Sequence, residues 1–328
     1  MKKAVAALLL CLLSSASVHL GAGGARIVAT PIAIDPADPA HRQIGRLRYL
    51  AGWHLQSRLA GYGGYSALAV KGDDVLMLSD SAAWLRFRMA TPGTIDRVRL
   101  GKLPGLPAFV VGRNNDAESM ALAPDGDIWI GFEYQNAIMR YSADLRRVVS
   151  ANAPEAMRDW PQNQGPEAMV RLRDGRFLIF CEGGDAGGDH PALLFGDDPS
   201  STNSPPTSFR YRPPRGYAPT DAAQLPDGRL VILHRRFGMF DGFGAAVAIL
   251  DPAGIRPGVA LAGQLVAELR PPLNIDNMEG ISVTREADRT ILWLVSDDNK
   301  LPIQRTLLLK FELLGGGTAN GAAGSGSP

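Results

Sequence analysis

An apolar strand, a polar turn and a second apolar strand recur five times along this chain, about fifty residues apart, and no other feature limits the fold as strongly. The copies are YSALAVKGDDVLMLSD from Tyr65, ESMALAPDGDIWIGFE from Glu118, PEAMVRLRDGRFLIFCE from Pro166, PTDAAQLPDGRLVILHRR from Pro219 and MEGISVTREADRTILWLVSDD from Met278. Aligned on their turns, they put Ser66, Ser119, Ala168, Ala222 and Gly280 in register, at intervals of 53, 49, 54 and 58 residues. Each interval has room for about four short strands. Further strand candidates lie between the hairpins, at Ala137–Tyr141, Ala245–Leu250 and Leu265–Leu269, and helical periodicity is hard to find. A lone hairpin cannot bury its apolar faces, so repeats of this kind must cover one another. The expectation is a single all-β domain, a β-propeller with five clear blades. The stretch Arg26–Leu59 supplies either a closing strand for the last blade or part of a sixth, so five or six blades fit. A β-sandwich is the alternative, and it leaves the regular spacing unexplained.

Carboxylates collect at one end of these hairpins. Asp125-Gly126, Asp174-Gly175 and Asp227-Gly228 mark the turns, where Gly and Asp accept the positive φ angles required. At the other end, where the first strand starts beside the finish of the second, stand Glu118 with Glu133, Glu167 with Glu182, Glu279 with Asp297 and Asp298, and the single members Asp80 and Asp221. If the hairpins are the inner strands of the blades, these feet meet around the central channel on one face. Carboxylates crowded there repel one another unless a cation or a proton sits among them. Hard oxygen ligands of this kind suit calcium or magnesium. The alternative for any one acid is to accept backbone N–H groups or to pair with Arg113, Arg140, Arg235 or Arg236. Arg235 and Arg236 fall at the level of the acids in the fourth repeat, where they hold either an anionic group such as phosphate or a neighbouring Glu.

The rest of the chain narrows the function classes. A formal charge of +1, from 34 basic and 33 acidic residues, argues against a nucleic-acid-binding surface. Lys2 and Lys3 precede an apolar run, Ala4–Leu13, and small residues continue to Ala25. This is the layout of a signal peptide, residues 1–25, and implies a periplasmic or secreted protein with no remaining membrane span. Removing it leaves Cys181 as the sole cysteine, so no internal disulfide can form. The propeller then occupies residues 26–314, and Gly, Ala and Ser dominate a disordered tail at 315–328. Five histidines show no paired ligand spacing for zinc, and no G-x-S-x-G nucleophile elbow is present. Cys181 follows the apolar run Phe177–Phe180 and reads as a buried thiol.

The segments DAESMALAPDGDIWIGFE, GPEAMVRLRDGRFLIFCEG, APTDAAQLPDGRLVILHRRF and DNMEGISVTREADRTILWLVSDDN resemble the bacterial family called esterase-like activity of phytase, over about Gly63–Leu313. The resemblance implies an exported propeller with a phosphoesterase-type activity, and its matching acids are Asp80, Glu118, Glu133, Glu167, Glu182, Asp221, Glu279 and Asp297. The chain departs from the family at Ser81–Trp84, where an arginine is common, and at His234, where an acid is common. The reading is a metal-dependent hydrolase with calcium as cofactor and a small anionic or phosphorylated substrate, acting as a monomer. Glu118, Glu167, Glu279 and Asp221 are the candidate catalytic residues. Asp80, Glu118, Glu133, Glu167, Glu182, Glu279 and Asp297 are the metal ligands, and Arg235 and Arg236 hold the substrate. The alternatives are a non-catalytic binding propeller of the cell envelope and a lactonase-like hydrolase.

Overall fold

The computed structural model describes residues 26–91, 93–105, 116–202 and 204–315, so the expected signal peptide, Arg113 and nearly all of the expected tail lie outside the described residues. Five sheets stand around one axis as a five-bladed β-propeller, 55% strand and 2% helix. The inner strands are Tyr65–Lys71, Ala117–Leu122, Pro166–Arg171, Ala218–Gln224 and Asn277–Glu286, in blades 1 to 5. Each packs on the next and the fifth on the first, which closes the ring.

Blade 5 takes strands from both ends of the chain. Asn277–Glu286, Arg289–Asp297 and Thr306–Leu313 come from the C-terminal side, and Leu47–Ser57 and Ile27–Pro31 from the N-terminal side. The junction is antiparallel, with Leu309 opposite Gly52 and Leu307 opposite His54. The stretch Arg26–Leu59 therefore completes the fifth blade and starts no sixth.

Five apolar clusters fill the five interfaces between blades. Successive strand residues point to opposite sheet faces, so each blade feeds two of them. In blade 3, Phe177, Ile179 and Cys181 face blade 2, while Leu178 and Phe180 face blade 4. A strand covered on both faces has no polar side to show, which is why FLIFC reads as a continuous apolar run. Each Leu, Ile or Phe so buried contributes about 1.5–3 kcal/mol. The turns behave as their sequences require: Gly126, Gly175 and Gly228 adopt φ of 102°, 95° and 94°, in the left-handed region.

Every inner strand carries a one-residue β-bulge at the same place. The pairing with the second strand slips at Tyr65/Ala67, Ala117/Ser119, Pro166/Ala168, Pro219/Asp221 and Met278/Gly280. The extra residues are Ser66, Glu118, Glu167, Thr220 and Glu279. A bulge twists the strand and re-aims the side chain it inserts. The structurally equivalent set is therefore Ala67, Ser119, Ala168, Asp221 and Gly280, which corrects the sequence alignment by one residue at Ser66 and at Ala222. The position after the bulge can tie blades together: Ser119 Oγ donates to the Pro166 carbonyl of blade 3 at 2.5 Å, and Asp221 Oδ2 accepts from Ile281 N of blade 5 at 2.8 Å.

Candidate functional site

Two rings of side chains surround the channel at the bulged end. The inner ring is the bulge set, with Glu118, Glu167 and Glu279 in blades 2, 3 and 5 and hydroxyls at Ser66 and Thr220. The outer ring is the residue that follows, on each second strand, the partner of the residue before the bulge: Asp80, Glu133, Glu182, Arg235 and Asp297. The fourth blade thus presents Arg235 where the others present acid, and His234 is not the equivalent position. His234 is buried, with Nε2 at 2.7 Å from the Tyr211 hydroxyl and Nδ1 at 3.1 Å from the Ala246 carbonyl. Burial pushes its pKa down to about 4, so it is a neutral structural residue.

The acids of blades 2 and 3 converge. Asp116, Glu118 and Glu133 can each offer an oxygen within 4.8 Å of the other two, and Glu133, Glu167 and Glu182 can do the same. Glu133 belongs to both triads and also accepts Gly165 N at 3.0 Å. Burial raises the pKa of Glu133 and Asp116, and raises Glu118 and Glu167 well above the usual carboxylate range. The neighbouring charges, Asp116 on Glu118 and Glu118 with Glu182 on Glu167, push the same way. Asp116, Glu118 and Glu182 keep partial contact with solvent, whereas Glu133 and Glu167 are buried.

Cations meet the remaining acids. Arg235 reaches Glu182 Oε1 with Nη2 at 2.6 Å and Glu279 Oε1 with Nε at 2.9 Å, the latter misaligned for a hydrogen bond. Burial raises Glu279 to about 8 despite the opposing pull of Arg235. Lys300 Nζ lies 2.5 Å from Asp80 Oδ1. Asp297 is buried, accepts Asn299 N at 2.6 Å and is raised by burial to about 6. Asp298 accepts Gly64 N and Thr306 Oγ1 and so joins blade 5 to blade 1. The structure brings Glu118, Glu133, Glu167 and Glu182 into the two triads. It places Glu279 beside Arg235, and Asp80 and Asp297 on the same ring outside the triads.

Two expected site residues are engaged elsewhere. Asp221, aligned by sequence with the foot acids, stands at the position after the bulge. It is buried and accepts Ala222 N and Ile281 N at 2.8 Å each. Arg236 pairs with Asp241 across its own hairpin and lies over the Tyr217 ring at 5.7 Å. Among the other arginines expected to pair with the acids, Arg140 binds Asp127 and Asp198. Cys181 donates to the Gln164 carbonyl at 3.0 Å, and burial raises its thiol to about 12. Asp116 escapes the sequence pattern of hairpin feet; its signal is the Asp116-x-Glu118 spacing across the bulge.

The donor set fits a hard divalent cation. It is all carboxylate oxygen, it offers no sulfur or imidazole, and Arg235, at one edge, is its only direct cation contact among the described residues. The family profile described as "Phytase-like: Esterase-like activity of phytase" matches residues 60–300. The chain belongs to this family. No curated protein sequence matches this family member. Among solved structures it is similar to an aldose sugar dehydrogenase from Streptomyces coelicolor, at 15% identity over 82% of this chain and 98% of that one, TM-score 0.47. It is also similar to the Malassezia sympodialis allergen Mala s 1, at 13% identity over 87% and 95%, TM-score 0.49, and to a putative gluconolactonase, at 12% over 89% and 91%, TM-score 0.44. At these scores the likenesses bear on neither fold nor chemistry. No helix among the described residues is long and apolar enough to cross a membrane.

Proposed function

We propose that this phytase-like propeller is an exported, divalent-cation-dependent hydrolase of phosphoesterase type, with calcium as its ion and a small phosphorylated or otherwise anionic molecule as its substrate. The observation that carries the reading is Glu133, shared by two carboxylate triads that lack enough positive charge to neutralise them. Asp116, Glu118, Glu133, Glu167 and Glu182 would hold the ion. Bound there, it supplies a Lewis acid that neutralises phosphate charge and acidifies water. Burial and the neighbouring acids favour the protonated forms of Glu118 and Glu167 until a cation neutralises the mouth. Glu279, near 8, is protonated at neutral pH and is positioned by Arg235. Arg235 can meet a phosphate by exchanging Glu182 for it; Arg236 is committed to Asp241, and Asp221 to main-chain N–H groups.

A second reading is a non-catalytic propeller that binds an amphiphilic ligand through the same face. Phe237, Met239 and Phe240 favour it: they project, 65%, 86% and 100% exposed, from the hairpin that rises past Arg235. Metal analysis of purified protein, then a panel of phosphoesters and lactones with and without chelator, separates the readings. The expected result is phosphoester turnover that chelation abolishes and calcium restores. Bound cation without turnover of any ester would leave the binding reading, and turnover of lactones alone would make it a lactonase.

A further inference from the structure

The channel has a second end, of opposite charge. A cavity of about 1010 Å³ rises from the turn side between the lower halves of all five inner strands and runs into the groove between blades 1 and 2. Lys71, Arg86, Arg97, Arg99, Arg171 and Arg173 line it, and Asp74 is the one carboxylate among the described lining residues. Acids nearby are taken by other partners: Asp96 by Arg88, Asp174 by Arg176 and Asp227 by Arg229. None of the six lining cations forms an ion pair among the described residues.

The cations are held together at a cost. Arg86 stands directly across from Arg99 in the outer hairpin of blade 1, and like charges at paired positions destabilise a sheet. The register of that hairpin slips beside them, and Arg97 takes a φ of 53°, a left-handed conformation strained for a residue with a side chain. Arg86 is further fixed by the Ala143 carbonyl of blade 2 at 2.5 Å. Burial lowers the pKa of Arg86, and Arg99 lowers it further. Arg173 is fixed as well, by the carbonyls of Leu225 and Pro226. A solvated surface would let such side chains spread; here backbone strain and carbonyl anchors keep them at one cavity.

We propose that this end of the channel binds a small multivalent anion, a molecule bearing several phosphate or carboxylate groups, at a site separate from the carboxylate mouth. Guanidinium forks match both groups bidentately, and phosphate best. A ligand there relieves the repulsion between Arg86 and Arg99 and neutralises charge that the protein leaves unpaired.

The test is calorimetric titration of the full chain with inorganic pyrophosphate, in the presence of chelator so that no divalent ion bridges the anion to the mouth. A parallel titration uses citrate. Pyrophosphate is expected to bind in a salt-sensitive manner, and citrate more weakly at the same site. Arg97→Ala and Arg99→Ala, both exposed, are each expected to weaken pyrophosphate about tenfold. Without ligand, neither variant is expected to melt below wild type, because each removes repulsion. Tighter binding of citrate than pyrophosphate would assign the site to polycarboxylates and keep the proposal. Absence of binding of both anions to wild type, or unchanged affinity in both variants, would overturn it.

Discussion

Glu279 and Asp297 show what the mouth does to a carboxylate. Both are buried, and their pKa values rise to about 8 and about 6. A raised folded-state pKa means that the folded chain binds more protons than the unfolded one between about pH 4 and 8. Stability of the metal-free protein is therefore expected to fall as pH rises from 5 to 8, by about 1.4 kcal/mol for each tenfold gain in a group's proton affinity on folding. Calcium is expected to remove most of that dependence; thermal melts across this pH range, with and without chelator, measure both effects. Arg235→Ala strips the cation from Glu182 and Glu279 together. Its cost is on the order of 3 kcal/mol at pH 8, shrinking toward pH 5, as read by denaturant unfolding. Asp221→Ala leaves the Ile281 N–H without its acceptor, and is expected to cost about 2 kcal/mol while leaving calcium affinity unchanged. The sequence marked Glu118, Glu133, Glu167 and Glu182 because acids at hairpin feet are countable in one dimension. It put Arg235 and Arg236 together at the level of the acids without separating them, and it could not show that Asp221 turns to backbone groups, which depends on the residue the inner strand inserts.

The five hairpins and their turn chemistry were legible because apolar runs and Asp-Gly pairs are local. The bulges were not: an extra residue in a strand leaves no mark on composition, yet it decides that Ala67 and Asp221, rather than Ser66 and Ala222, match Ser119. Their shared position in all five blades explains how three glutamates reach one ring. Close approach of the inner strands is equally hidden in the sequence. At Gly280 a Cβ would lie 2.9 Å from Leu68 N and 2.7 Å from Val295 Cγ1. Gly280→Ala is therefore expected to push blade 5 from blade 1 and cost about 2 kcal/mol, measured as a lower denaturation midpoint with an unchanged slope.

At the scale of the whole molecule, closure depends on one seam. Deleting the residues after Lys300 removes Thr306–Leu313 from the middle of blade 5, takes away the fully buried Leu307, Leu308, Leu309 and Phe311, and leaves Leu47–Ser57 and Arg289–Asp297 without the strand between them. The truncated chain is expected to lose its cooperative melt and its native β circular dichroism. In the sequence, Arg26–Leu59 fitted either a closing strand for the last blade or part of a sixth; its pairing with Thr306–Leu313 settles it as the former. The closed ring is also what converts five separate hairpin feet into one mouth, and the central claim is that this mouth holds a cation. Calorimetric titration of chelator-stripped protein with calcium, on wild type and Glu133→Gln, tests it most directly. The account predicts saturable binding by wild type and at least about tenfold weaker binding by the variant, which loses a ligand common to both triads. Wild-type protein that binds neither calcium nor magnesium, or a Glu133→Gln variant that binds as tightly, would contradict it.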